Sequence, residues 1–309
     1  ISVTIVQDKT SEKSSCALSV KTGAMHDPLP GIAHITEHAV FLGSEKYPIE
    51  NAYKNYLSQH GGGSNASTSM DQTTYKFYVN SAAFDPALDL FSQFFKCPLF
   101  QTETMCREVM AVDAEDSKNR IIDGRRLLQV LKHQIQPHHT YSKFSTGNLK
   151  TLVYGDVERY GEHLSNTIRS FHAEYYQPSC MAVALVGPQS VDELLSLAEL
   201  HFSNKEHFST EKEHSLQGNG NETITPTETP SPQECIENAS IFTHGGGKLI
   251  HFCPIKDIRD LTIIWQLPSS FTLYKDNPCD LISYILNYKG TGSCFAVLQD
   301  LKWITALSS

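Results

Sequence analysis

The run HITEH places His34, Glu37 and His38 within little more than one helical turn, and a chain built on it must present that helix to an open site. Residues four apart share a helix face, so both imidazoles can chelate one ion, with the Glu37 carboxylate beside them. Zinc held by neutral imidazoles lowers the pKa of its bound water to roughly 7 and keeps a coordination position open. An adjacent carboxylate can take the water's proton and return it to a leaving amine, which is the minimal apparatus for peptide hydrolysis. A run of this kind arises by chance in about 4 of 100 chains of this composition, so it needs support from elsewhere. The competing reading, carried by the minority of such runs, is two surface histidines on an amphipathic helix.

Two histidines are one ligand too few. The segment Arg107 to Asn119, REVMAVDAEDSKN, reads as a helix on which Glu108, Val112 and Glu115 share a face by i, i+4, i+7 spacing. On spacing alone two readings stand level. The carboxylates are solvated, as helical carboxylates usually are, or Glu115 binds the metal while Glu108 supports a ligand from behind.

The surrounding pattern predicts an α+β fold, a mixed and largely antiparallel sheet covered by helices. The chain opens on a strand-like alternation, and SCALSVK (Ser15 to Lys21), TTYKFYV (Thr73 to Val79) and the buried-strand run MAVALV (Met181 to Val186) read as strands. Helices are predicted over Ala33 to Leu42, stopped by a left-handed Gly43, and over Ile49 to His60, Phe84 to Phe95, Thr104 to Leu131 and Val191 to His201. From Ser203 to Ser240 apolar residues give way to Thr, Pro, Glu and Asn, the composition of a linker or surface insertion. Structure should resume at Lys248 to Cys253 and Leu261 to Leu267, with helices over Cys279 to Leu286 and Ser293 to Leu301. The organisation expected is therefore a zinc-binding catalytic domain at 1–208, a linker at 209–240, and the truncated start of a second domain of the same type at 241–309.

A formal net charge of −9 in 309 residues, with no clustered Lys or Arg, argues against a nucleic-acid binder and favours cationic partners. No stretch approaches the ~20 apolar residues of a membrane span. Eight scattered cysteines without a Cys-x-x-Cys pair fit reduced thiols, and together with the lack of a visible targeting signal they suggest a cytoplasmic protein. Sequons at Asn65, Asn221 and Asn238 are read as unglycosylated. His133, His138 and His139 lack ligand spacing and are read as loop or surface residues, and His244 with the glycines after it is read as a turn.

The blocks LPGIAHITEHAVFLGSEKYP, HGGGSNASTSMDQTTYKFYV, FFKCPLF, REVMAVDAEDSKN and YSKFSTGNLKTL resemble, in order and spacing, those of the pitrilysin, insulysin and nardilysin peptidases. Glu115, 77 positions after His38, stands where that family has its distant glutamate ligand. The resemblance implies one zinc ion per chain held by His34, His38 and Glu115, Glu37 as general base, and Glu108 as a supporting acid. It also implies Phe41 as a pocket aromatic, and an edge strand at Ser64, Asn65 and Ala66 that pairs with a peptide substrate. Arg125 and Ser67 replace aromatics of insulysin-like enzymes, so side-chain preference at the scissile bond does not carry over. The family continues through two further domains that close over the zinc site. A C-terminal half or a homodimer partner would be needed to complete such a chamber, and a catalytically silent fragment that binds zinc and peptides is the alternative expectation.

Overall fold

The computed structural model describes residues 1–203, 241–242, 247–267, 273 and 275–309. These fall into two compact units, Ile1–Asn219 with Phe242–Ile258, and Gly220–Ile241 with Arg259–Ser309. The linker expected at 209–240 and the sequons at Asn221 and Asn238 lie outside the described residues, as does the turn expected at His244 except for Gly247.

The first unit is a five-stranded sheet with helices packed against it. Strands β1 (Ser2–Gln7), β2 (Lys13–Val20), β3 (Gly63–Thr68), β4 (Thr73–Asn80) and β5 (Met181–Gly187) run in the order β1-β5-β2-β4-β3. Only β1 and β5 pair parallel; the other three ladders are antiparallel. The sheet is thus mixed and largely antiparallel, and among the described residues β3 is an edge, paired on one side to β4 alone. Period-two alternation sends Cys16, Leu18 and Val20 of β2 and Tyr75, Phe77 and Val79 of β4 into one buried face. β5 is less enclosed than its apolar run suggests, because Ala182 is exposed while Met181, Val183 and Leu185 are buried. The buried face carries an aromatic cluster in which Tyr53, Phe91 and Phe94 pack edge-to-face or stacked, with Tyr75 hydroxyl to Tyr176 hydroxyl at 2.6 Å beneath.

Helices α1 (Ile32–Ala39), α2 (Ala52–Gln59), α3 (Phe84–Lys96) and α8 (Val191–Phe202) lie near their expected places. Helix α1 ends three residues early, and left-handed Gly43 (φ 116°) follows a further turn. The stretch expected as one helix from Thr104 to Leu131 is two, α4 (Thr102–Asn119) and α5 (Asp123–His133). Ile122 is extended between them, and the Asp123 carboxylate accepts backbone N–H bonds from Ile255 and Lys256 at 2.9 and 3.1 Å. That partner is more than 130 residues away, so no local periodicity signals the break. Two further helices follow, α6 (Leu149–Val153), and α7 (Val157–Tyr175), which is capped at Asp156.

The second unit carries α9 (Pro278–Asn287) and α10 (Cys294–Asp300), the latter capped by the Ser293 hydroxyl. Lys248 to Cys253 and Leu261 to Leu267 form no regular element. Leu261, Ile263, Ile264, Trp265 and Leu267 are exposed, and the described residues offer this run no strand to pair with.

Candidate active site

Helix α1 owes its position to its N-terminus. Gly31 sits at φ +101°, and a Cβ there would lie 2.3 Å from the Gly147 Cα, so two glycines let the 143–148 loop touch the helix start. The buried Asp27 carboxylate caps the helix, accepting from the Gly31 and Ala33 backbone N–H at 2.8 and 2.7 Å. Burial pushes this carboxyl up to about 7 against the pull of those two bonds and of Lys143.

One turn along, His34 and His38 meet edge-on, ring centroids 4.7 Å apart. Glu115 of α4 faces them: its Oε2 is 3.6 Å from His34 Nε2 and 3.9 Å from His38 Nε2. Candidate ligand atoms from the three side chains all lie within 4.8 Å of one another, and no other such group of three occurs among the described residues. Two ligands each ~2.05 Å from a tetrahedral zinc sit about 3.3 Å apart, so a small inward shift would close this set on one ion. Two nitrogens and one carboxylate oxygen, with a fourth position free, are the donor set of a catalytic zinc.

Both imidazoles are held from behind. His34 Nδ1 lies 2.7 Å from the Thr146 carbonyl, so it donates there and leaves the Nε2 lone pair aimed at the site. His38 Nδ1 lies 2.7 Å from Glu108 Oε1. Burial disfavours the His38 imidazolium, but the hydrogen bond and charge of Glu108, with Glu37 and Glu115 behind them, outweigh it and hold His38 above the usual histidine range. In return the bond from His38 holds the Glu108 carboxyl below the usual carboxylate range. The Glu37 side chain is 8% exposed and accepts a bond of 2.5 Å from the Thr68 hydroxyl at the end of β3.

β3 packs against α1, so the edge strand borders the candidate ligand cluster. Asn65 is exposed, while Ala66 packs partly against the core opposite Tyr75. Ser64 stands opposite Phe77, two positions before Ala66. Phe41 lies in the aromatic cluster, its ring centroid 5.1 Å from Phe94 and 5.8 Å from Tyr75. Arg125 is exposed on α5. His133, His138 and His139 stay outside the ligand group, and His139 Nδ1 accepts from the Tyr141 N–H. Thr68, Thr146 and Asp27 hold site residues, yet spacing does not mark them. Each acts through contacts 4 to 112 residues distant in sequence, and the bond from His34 uses Thr146's backbone carbonyl, which any residue could supply.

Residues 2–138 match the family model for insulinase, peptidase family M16, and residues 165–309 match that of the peptidase M16 inactive domain. The chain is 37% identical over 309 residues to human insulin-degrading enzyme and 34% identical over 307 residues to the A-factor-processing enzyme of Saccharomyces cerevisiae. In each case 99% of the chain aligns with 28% of the relative, so it spans under a third of these proteins' length. The crystal structure of pitrilysin shares the fold, with a TM-score of 0.70 at 24% identity over 99% of this chain and 30% of that one. The two family models together cover most of the chain, the first of them spanning the paired histidines and Glu115, and the chain belongs to the insulinase family of peptidases, M16, of the insulysin and pitrilysin type.

Proposed function

We propose that this chain is the zinc-binding part of a metalloendopeptidase that hydrolyses oligopeptides and small unfolded polypeptides. The observation that carries the reading is the convergence of His34 Nε2, His38 Nε2 and Glu115 Oε2 beside the Glu37 carboxylate. One zinc ion held there would acidify water and polarise the scissile carbonyl. Glu37 takes the proton from the attacking water and delivers it to the leaving amine. The Thr68 hydroxyl keeps the carboxylate aimed, and Thr146 and Glu108 keep the two imidazoles aimed. A substrate segment extends along Ser64, Asn65 and Ala66, where β3 has an unpaired edge, and Phe41 contributes to the apolar wall beside it.

The domain assignment proposed is a catalytic domain at 1–208, a linker at 209–240 and the start of a second domain at 241–309. A reduced, cytoplasmic setting fits the seven described cysteines, all free, although one relative from Arabidopsis thaliana, 34% identical, is named as peroxisomal. No helix among the described residues is long and apolar enough to cross a membrane.

A second reading rests on exposure. The Glu115 side chain is 40% exposed, and catalysis of this kind gains from excluding water. On that reading the chain binds zinc and peptide but needs a C-terminal half, or a second copy, to turn over. The test is cleavage of internally quenched peptides by the 309-residue chain, with Glu37→Gln and a chelator as controls. Chelator-sensitive cleavage lost in Glu37→Gln, with zinc retained, supports the first reading. Bound zinc without cleavage supports the second, and a chain that binds no zinc refutes both.

A further inference from the structure

Lys132, on the last turn of α5, is 4% exposed; among the described residues its ammonium makes no direct ion pair, and the acid that acts on it through space is Asp27. Burying an ammonium group costs several kcal/mol unless its donors are satisfied, so a lysine here needs a reason that an apolar residue could not meet. Its Nζ donates to the Lys143 carbonyl at 2.8 Å, lies 3.5 Å from the Ser145 hydroxyl, and touches Met70 Sδ at 3.4 Å. Two of those partners, Lys143 and Ser145, belong to the short loop whose next residue, Thr146, presents its carbonyl to His34 Nδ1 at 2.7 Å, and Met70 belongs to the turn between β3 and β4. Lys143 itself reaches the other way, its Nζ donating to the Met25 and Asp27 carbonyls at 2.7 and 3.1 Å, and the Asp27 carboxylate caps the helix that bears His34. The loop is therefore pinned on one side by Lys132 and clamped on the other to the start of α1, with Gly147 against Gly31 between them.

We infer that Lys132 is a positioning residue for the metal site: by holding the 143–146 backbone it aims the Thr146 carbonyl, and that carbonyl selects the His34 tautomer whose Nε2 is free to bind metal. The inference rests on the zinc reading above for its consequence, but its first link, from Lys132 to the His34 ring, holds with or without metal. Lys132 touches neither ligand nor substrate and acts only through the loop.

The test uses Lys132→Met, which keeps length and bulk but removes the charge and the donor, in the full 309-residue chain. Long-range ¹H–¹⁵N spectra of the zinc-free protein read the His34 tautomer, and competition with a chromophoric chelator reads zinc affinity. In the wild type His34 should show the Nδ1–H form. In Lys132→Met it should become a mixture, with zinc affinity down about 10- to 100-fold, the range for losing an outer support of a ligand. If a panel peptide is cleaved, kcat should fall more than KM changes. Leu194→Ala, a truncation on the buried face of α8, which packs against α3, β1 and β5, should lower the melting temperature and leave both readouts unchanged. Were Lys132→Met too unstable to measure, Ser145→Ala should still weaken zinc by about 2- to 5-fold and shift the tautomer, since it removes only a weak partner. A lowered melting temperature with an unchanged tautomer and unchanged zinc affinity would overturn the inference. A wild type that binds no zinc, but whose His34 tautomer depends on Lys132, would refute the zinc reading and leave the positioning role standing.

Discussion

Replacing Glu108 separates the charge of the His38 support from its hydrogen bond. The bond from His38 Nδ1 to Glu108 Oε1 is 2.7 Å, within the range of a charge-assisted bond, and the Glu108 side chain is 18% exposed, so solvent screens it only partly. Such bonds contribute about 1.5–3 kcal/mol, and a neutral equivalent about 0.5–1.5 kcal/mol. In Glu108→Gln the amide oxygen can still accept from Nδ1–H, so the loss is the difference, roughly 1–1.5 kcal/mol, or about 5- to 13-fold in zinc affinity. Glu108→Ala loses the whole bond, about 1.5–3 kcal/mol, or roughly 10- to 150-fold. The assay is chelator competition at fixed pH and ionic strength, with thermal unfolding in parallel. Wild type, Gln and Ala should fall in that order of affinity. Equal zinc affinities in all three proteins, whatever their melting temperatures, would show that the His38 support has no influence on the ligand set.

Three further outcomes follow from the same geometry. Glu37→Gln should keep zinc and abolish any turnover, because the Thr68 bond and the ligand set survive while the proton acceptor does not; retained turnover counts against Glu37 as base. Gly31→Ala should destabilise the chain by roughly 2–4 kcal/mol in denaturant unfolding, from left-handed strain plus a Cβ 2.3 Å from the Gly147 Cα, and a loss under 1 kcal/mol would mean that the two loops are not clamped. His172 is buried, with Nε2 3.2 Å from the Phe94 carbonyl, and burial pushes its imidazole down to about 4. The unfolded chain therefore binds more protons between about pH 6.5 and 4, and this residue's contribution, about 3 kcal/mol, is present above that window and lost on acidification through it. Asp27, pushed up to about 7, acts in the opposite sense, losing stability as pH rises from about 4 to 7. The His172 term is accordingly measured as the difference between wild type and His172→Asn at each pH, and a difference that does not change with pH refutes it.

Local pattern marked the elements whose burial is periodic along the chain. The alternation of β2 and β4, the apolar face of α3 and the i, i+4 pair of His34 and His38 were legible because one side of each element meets the core or the site. Glu108 and Glu115 were legible as a shared face, and the resemblance assigned them their roles. Helix α7 carries equally clear spacing, with Leu164, Ile168 and Phe171 buried, yet it was not among the elements read from the sequence. The apolar run Leu261 to Leu267, where structure was expected to resume, forms no regular element among the described residues, since an apolar run becomes a strand only where another strand completes its hydrogen bonds.

By itself, then, the sequence determined which side chains could ligate a metal and which faces would be buried, because both depend on residue type and short-range period. Only the tertiary structure decided that Glu115 meets the two histidines and that α4 and α5 part at Ile122. It also decided that Lys132, Thr146 and Thr68 stand behind the site, because backbone carbonyls and capped turns carry no residue-specific signal, and partners 11 to 133 residues apart are brought together only by the packing of the sheet and its helices.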